Sequence, residues 1–276
     1  MKNFKQRAIT GLSFAAIMSA AILYSGWSFV SVFFLISLLG LLEFYKLIRS
    51  EHTSPQVVPG MIAGQGLFLL FTWILLSEAS MELMLVAIPL VAMIFIRELY
   101  LNHPHPFLNI AVTLTGMIYF TLPLMLMLKI AFGFTPDDEV HYHGGIIMGC
   151  ILILWASDTG AYMLGSQIGK NKLFERISPN KSWEGFAGAV LSSLLAAWVV
   201  SIWFPDLPLQ DWMVIAILIV VAGTLGDLVE SMLKRSVNVK DSGVLFPGHG
   251  GILDRFDGLL ISMPFVFFYL WVRGYL

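Results

Sequence analysis

Apolar residues run through this chain in long, nearly unbroken blocks, and polar residues collect in the short gaps between them. A helix that crosses the hydrocarbon core of a bilayer needs about 20 predominantly apolar residues. On that measure the pattern predicts nine spanning helices, at about 8–24, 27–48, 58–77, 81–97, 107–132, 143–165, 183–204, 211–234 and 258–273. Pro, Gly and charge clusters mark the seams. The predicted fold class is all-α, a polytopic integral membrane protein. The first block follows a basic start, Lys2, Lys5 and Arg7, as a signal peptide would. We read it as a retained first span, because a second apolar block follows almost at once with no clear small-residue cleavage site between them.

Composition sharpens the picture. Of 276 residues, 58% are hydrophobic and 12% charged, where a typical soluble domain carries about 25% charged residues. That excludes a large soluble core. No dense basic tract exists to neutralise a phosphate backbone, so no nucleic-acid partner is expected. Cys150 is the single cysteine, which excludes an intramolecular disulfide and any cysteine-based metal cluster.

The charges between blocks predict orientation. With the N-terminus cytoplasmic, all but Lys129 and Arg273 of the 16 Lys and Arg residues fall on the inner side, as the positive-inside rule requires. Glu78, Glu82, Asp137, Asp138, Glu139, Asp206 and Asp211 fall on the outer side. The chain then divides into an N-terminal region, 1–140, of about five spans, and a C-terminal region, 141–276, of about four. Two charged cytoplasmic loops, 169–184 and 234–257, belong to the second region.

The stretch from Gly226 to Gly258 carries five acidic residues, four basic residues and one histidine. Charge this close to hydrocarbon is costly, about 2.5–3.5 kcal/mol for an aspartate deep in a span, so it reads as functional. Asp227, Glu230, Ser231 and Lys234 fall at i, i+3, i+4 and i+7 and share one helical face. Gly223 and Gly226 just before them predict close backbone approach to a neighbour or a ligand. Gly250 and Gly251 belong to a turn, PGHGG, that bares backbone N–H groups ahead of Asp254, Arg255 and Asp257. Such a turn before a helix favours phosphate, yet the aspartates repel it, and a divalent cation between carboxylates of two spans resolves that conflict. Asp158, near the inner end of the sixth block, either joins a metal site or pairs with a lysine.

In the other inner loop, Lys170, Lys172 and Arg176 either face lipid headgroups or a nucleotide or serve as ordinary anchors, the anchor reading being the first choice. The segment SPNKSWEG at 178–185 is less generic. It predicts a tight turn holding Ser178, Asn180, Lys181 and Ser182, with Ser182 capping the next helix and Glu184 in its first turn. Glu43, Arg97 and Glu98 sit near inner helix ends and read as snorkelling side chains. His103, His105, His141 and His143 have no shared helix or matched carboxylate and are not read as ligands.

The run from Ser231 through Lys234, Arg235, Lys240, Asp241, Gly243, Phe246, Pro247, Gly248, His249, Gly250, Gly251, Asp254, Arg255 and Asp257 closely resembles the signature of phosphatidate cytidylyltransferases, or CDP-diacylglycerol synthases. The SPNKSWEG segment, Gly226-Asp227 and the SDTGAY neighbourhood of Asp158 also look like that family's blocks. The resemblance covers about the last 120 residues by motif. It implies conversion of CTP and phosphatidate to CDP-diacylglycerol and pyrophosphate in phospholipid biosynthesis, in a polytopic enzyme of the inner (plasma) membrane with its active site facing the cytoplasm. It further implies a Mg2+ cofactor with K+ as a second cation, and Asp227 and Asp254 as metal ligands. Lys234, Arg235, Lys240 and Arg255 would then neutralise the lipid phosphate and departing pyrophosphate. Asp257 would be a neighbouring or second-metal carboxylate, and His249 either orients a phosphate or only shapes the turn. The rival readings are a CTP-dependent polyprenol- or phytol-type lipid kinase and an ion-coupled transporter. Oligomeric state is not legible in the sequence, which allows a homodimer.

Overall fold

The computed structural model describes residues 2–77, 79–133, 141–243 and 250–276, with side chains from residue 10 onward. Helices α1 (Lys2–Tyr24), α2 (Gly26–Ile48) and α3 (Val57–Ser77) are followed by a 3-10 turn, Met81–Val86, that runs into α4 (Ala87–Leu101). Next come α5 (Pro106–Gly116), a π segment (Met117–Thr121) and α6 (Leu122–Gly133), which together form one rod. The C-terminal half holds α7 (Gly144–Ile168), a small hairpin of β1 (Lys172–Phe174) and β2 (Ser178–Ser182), α8 (Trp183–Trp203), α9 (Leu209–Ser236) and α10 (Leu253–Val272). Among the described residues, eight rods are long and apolar enough to cross a bilayer, and the apolar part of α1, Thr10–Tyr24, is a shorter ninth. The protein is therefore an all-α, multi-pass membrane protein, with rods where the apolar blocks predict them.

In lipid each backbone N–H and C=O must be satisfied within the span, which is why apolar blocks fold as helices. The sequence places large apolar side chains on both the inner and outer surfaces of the bundle. Leu124, Met127, Leu128, Ile130 and Ala131 of α6 are fully enclosed, so α6 is the central post. Leu12, Trp27, Ile62, Leu99, Leu195, Ile202 and Phe268 point outward, as lipid-facing positions should. Helix α4 is the most peripheral rod, burying only Ile94 and Glu98. Helix α1 is seated in the bundle: Ile22 is enclosed, and the Phe14 ring meets Phe256 of α10 edge-on at 5.9 Å.

Helices α7 and α8 approach closely because both carry glycine at the crossing. A Cβ on Gly188 would lie 2.5 Å from the Gly160 carbonyl oxygen, and one on Gly160 equally close to that of Gly188. Small residues let membrane helices reach this distance.

Four local expectations fail. The tight turn expected at 178–185 is instead strand β2 plus the first turn of α8, with Lys172 paired to Ser182 and Phe174 to Ser178. Ser182 does cap α8, accepting from the Gly185 N–H at 3.1 Å. Glu184 lies in the first turn of α8, as expected, and also ties back the preceding loop, accepting from the Asn171 side chain at 2.7 Å. The last helix starts at Leu253, not near 258, so Asp254 and Asp257 lie on the helix itself, one turn apart. Finally, Glu98 does not snorkel. It is 3% exposed and accepts from Gln56 Nε2 at 2.6 Å and Asn109 Nδ2 at 2.8 Å. His103 meets it at 2.8 Å and His143 meets Asp206 at the same distance, so two histidines do have matched carboxylates.

Candidate active site

The site begins with the glycine approach anticipated on α9. A Cβ on Gly226 would lie 2.5 Å from the Asp257 carbonyl oxygen. Close contact at that point sets Asp227, the next residue, across from Asp257. Glu230 follows one turn later on the same helical face. Asp227, Glu230 and Asp257 each offer a carboxylate oxygen, all within 4.8 Å of one another. Ser231 donates to Asp227 Oδ1 at 3.2 Å, and Lys181 Nζ reaches Asp227 Oδ2 at 2.7 Å from strand β2. Lys181 also donates to the Thr224 carbonyl oxygen at 3.3 Å. The hairpin thereby lays a cation across the seam between α8 and α9.

Glu230 is 1% exposed. Its Oε2 pairs with Lys234 at 2.5 Å, while Oε1 is buried with no hydrogen-bond partner. A buried acceptor left unmatched costs about 1–3 kcal/mol, more when charged. It marks the cluster as incomplete in protein atoms alone. Three converging carboxylates with one unmatched oxygen are the donor set a hard cation prefers.

Asp254 occupies an adjoining cluster. Its Oδ1 accepts from Lys234 Nζ at 2.7 Å, and its Oδ2 accepts from the Ser242 N–H at 3.0 Å, the Ser242 hydroxyl at 2.9 Å and the Gly251 N–H at 2.8 Å. Gly250 has φ +80, and a Cβ there would collide with the Asp254 carboxylate. Only glycine suits both demands. Lys234 bridges the two clusters, touching Glu230 and Asp254 together.

Both clusters border a cavity of about 700 Å³, a size common for ligand sites. Asp158, Ser178, Asn180, Lys181, Ser182, Asp227, Asp254, Arg255 and Asp257 contribute to its wall, brought there by α7, the hairpin, α9 and α10. Phe14, Trp155, Tyr162 and Phe186 give it an apolar side. Asp158 lies within electrostatic reach of Asp227, Lys181 and Arg255, which serves both of its expected roles. The five carboxylates Asp158, Asp227, Glu230, Asp254 and Asp257 thus meet three basic side chains, Lys181, Lys234 and Arg255. Among these described side chains the carboxyl groups outnumber the basic groups by two.

The remaining expected residues divide. Ser231 and Gly251 are in the hydrogen-bonded clusters, while Arg235, in the last turn of α9, and Lys240 and Asp241, just beyond it, are exposed and apart from the cavity wall among the described residues. His249 lies outside the described residues. Lys234 does not face the cavity as expected of a phosphate-binding cation; two carboxylates hold it. Two acidic residues were passed over by sequence reasoning. Glu230 was noted on the polar face but not as a ligand, although its spacing from Asp227 was the signal. Glu43 was read as a snorkelling anchor. It meets a loop about 200 residues away, and no spacing rule could have revealed that.

A sequence profile of the cytidylyltransferase family matches residues 5–273. The chain belongs to this family. It is 34% identical to the phosphatidate cytidylyltransferase of Bacillus subtilis (strain 168), over 98% of this chain and 98% of that protein. The phosphatidate cytidylyltransferases of Staphylococcus aureus (strain COL) and Staphylococcus haemolyticus are each 34% identical over 94% of this chain and 96% of their own lengths. The match therefore extends through the N-terminal spans, well beyond the C-terminal motifs. Family membership makes the chain a membrane-bound nucleotidyltransferase and suggests a divalent metal.

Proposed function

We propose that this protein is a CTP:phosphatidate cytidylyltransferase that forms CDP-diacylglycerol and pyrophosphate, with its active site on the cytoplasmic side of the bacterial plasma membrane. One observation carries the reading: a cavity at the meeting of α7, α8, α9 and α10 gathers acidic side chains that lack full compensation beside Lys181 and Arg255. The bias of Lys and Arg toward one set of loops supports the orientation. The lipid-kinase and transporter readings have no support from the family match.

The reaction joins two anions. Two unit charges about 4 Å apart repel by about 4 kcal/mol at an effective dielectric near 20, and phosphatidate and CTP carry several charges each. A phosphatidate phosphate oxygen attacks the α-phosphorus of CTP. A new P–O bond forms, the α–β bridging P–O bond breaks, and pyrophosphate leaves with the bond electrons. Phosphatidate is itself the nucleophile, so the chain needs no covalent one. Asp227, Glu230 and Asp257 form the triad closest to sharing one ion, and Asp254 is the further acidic candidate implied by the family motif. A Mg2+ ion held by these carboxylates would supply positive charge against the triphosphate and make the α-phosphorus more electrophilic; K+ is the second cation the motif implies. Lys181, now paired to Asp227, is available to turn to a phosphate once that carboxylate has a cation partner. Arg255 sits on the same wall to meet the lipid phosphate or the leaving pyrophosphate. Ser178 and Asn180 offer hydrogen bonds from the hairpin, and the apolar side receives the glyceride. Positioning and charge stabilisation account for the acceleration.

The test is purified protein given CTP labelled separately at the α- and γ-phosphates, with phosphatidate and Mg2+. The α-label should enter lipid and the γ-label should leave as pyrophosphate. Entry of the γ-label into lipid would instead establish a kinase.

A further inference from the structure

Helix α2 places one carboxylate, Glu43, beside the catalytic region from the opposite half of the chain. Its Oε1 accepts from the Ser242 hydroxyl at 2.6 Å and from the Leu253 N–H at 3.0 Å. Its Oε2 accepts from the Ile252 N–H at 3.0 Å. These partners are neutral, and two of them belong to the start of α10. A carboxylate there satisfies exposed helix N–H groups and opposes the positive end of the helix dipole. Ile252, the cap residue itself, supplies no capping side chain. Glu43 thus explains why α10 begins as early as Leu253 and carries Asp254 in its first turn. The fit is tight: a Cβ at Gly251 or Gly243 would strike the Glu43 carboxylate.

The contacts continue inward. Ser242 touches both Glu43 and Asp254, with its one hydroxyl proton shared between them, and its N–H also holds Asp254. Asp254 holds Lys234, and Lys234 holds Glu230. An unbroken polar chain therefore runs from Glu43 on α2, through the loop and α10, to the acidic cluster of α9.

We infer that Glu43 is a positioning residue for cytidylyl transfer, fixing Ser242 and the first turn of α10 so that Asp254 and Lys234 are held in register with the acidic cluster. This rests on the cytidylyltransferase reading above. Removing partners that orient a metal- or phosphate-binding group commonly costs about 10- to 100-fold in activity. Glu43→Gln keeps the side-chain length but turns an amide N–H₂ against backbone N–H donors. It should lower kcat by about 10- to 100-fold, leave the KM for phosphatidate nearly unchanged, and raise the Mg2+ concentration needed for half-maximal rate.

The test measures kcat, both KM values and the Mg2+ half-saturation for wild type, Glu43→Gln, Ser242→Ala and the double variant in detergent, each checked for monodispersity and thermal unfolding. Wild-type protein that makes no CDP-diacylglycerol would refute the functional reading itself. Given an active wild type, a folded Glu43→Gln with wild-type kcat and Mg2+ response overturns the inference. Single losses that fail to add in the double variant support it, because the two residues then act through one contact. Full additivity overturns it. Should Glu43→Gln not fold, Ser242→Ala leaves the contacts to Ile252 and Leu253 in place and carries the test alone. A kcat loss with a raised Mg2+ half-saturation supports the inference, and wild-type values of both overturn it.

Discussion

Two buried carboxylate sites lie at opposite ends of α9, and only one of them is incomplete. At the N-terminal end Asp211 is 1% exposed, yet Tyr269 and Tyr275 donate to it at 2.5 and 2.6 Å and Arg273 Nε lies at 3.1 Å. Both oxygens are matched, and the groups lock the end of α10 and the following tail onto the start of α9. At the other end Glu230 is equally buried, but one oxygen has no partner and two more carboxylates crowd it. Burial of an acid is therefore not what marks a site. The mark is compensation left unfinished, because a buried pair with all its hydrogen bonds is structural and an unmatched cluster awaits a ligand. Glu98, with donors on both oxygens, falls on the structural side with Asp211.

That contrast can be broken most severely at Asp227 and Asp257. Asparagine at either position should reduce CDP-diacylglycerol formation by about 10²- to 10³-fold, the scale of losing a group that stabilises developing charge, while thermal unfolding in detergent changes little. Relief of like-charge crowding should even offset part of the lost ion pair to Lys181. Near-normal turnover would place the metal elsewhere, with Asp254 the next candidate. Lys181→Ala comes next in size. A rise of about 10- to 100-fold in the KM for CTP is expected, one charge-assisted contact amounting to about 1.5–3 kcal/mol, and unchanged kinetics would return Lys181 to the class of membrane anchors.

Asp211→Asn sharpens the comparison from the other side. It should lower stability by about 1–3 kcal/mol, as matched buried hydrogen bonds are disrupted, yet leave kcat and Mg2+ dependence intact in the folded fraction. A Mg2+-dependent defect there would erase the distinction between the two ends. The smallest effect is expected at Arg235, Lys240 and Asp241, which are exposed at and just beyond the end of α9. Alanine at Lys240 should change kcat/KM by less than about threefold, in line with the weak coupling of solvated charges.

Much of the architecture was legible because apolar blocks of bilayer length admit one backbone solution. The block at 107–132 corresponds to the rod Pro106–Gly133, although nothing in its composition announced the π segment at Met117–Thr121. The shared face of Asp227 and Ser231 was legible from helical spacing, and they do hydrogen-bond. Likewise the glycine at 226 foretold the close approach of α9 and α10. What stayed hidden depends on contacts distant in sequence. Helix α10 starts early because a carboxylate on α2 caps it, and Glu98 is buried because Gln56 and Asn109 converge on it. Single-residue cues near a helix end favour snorkelling, and only the tertiary partners reverse that inference.

The central claim is that the unfinished acidic cluster of α9 and α10 holds the divalent cation. Mn2+ binding to purified protein, followed by electron paramagnetic resonance in wild type, Asp227→Asn and Asp211→Asn, tests it without reliance on turnover. The account predicts a bound-ion signal that Asp227→Asn weakens or abolishes and Asp211→Asn preserves. Equal binding in wild type and Asp227→Asn would contradict it.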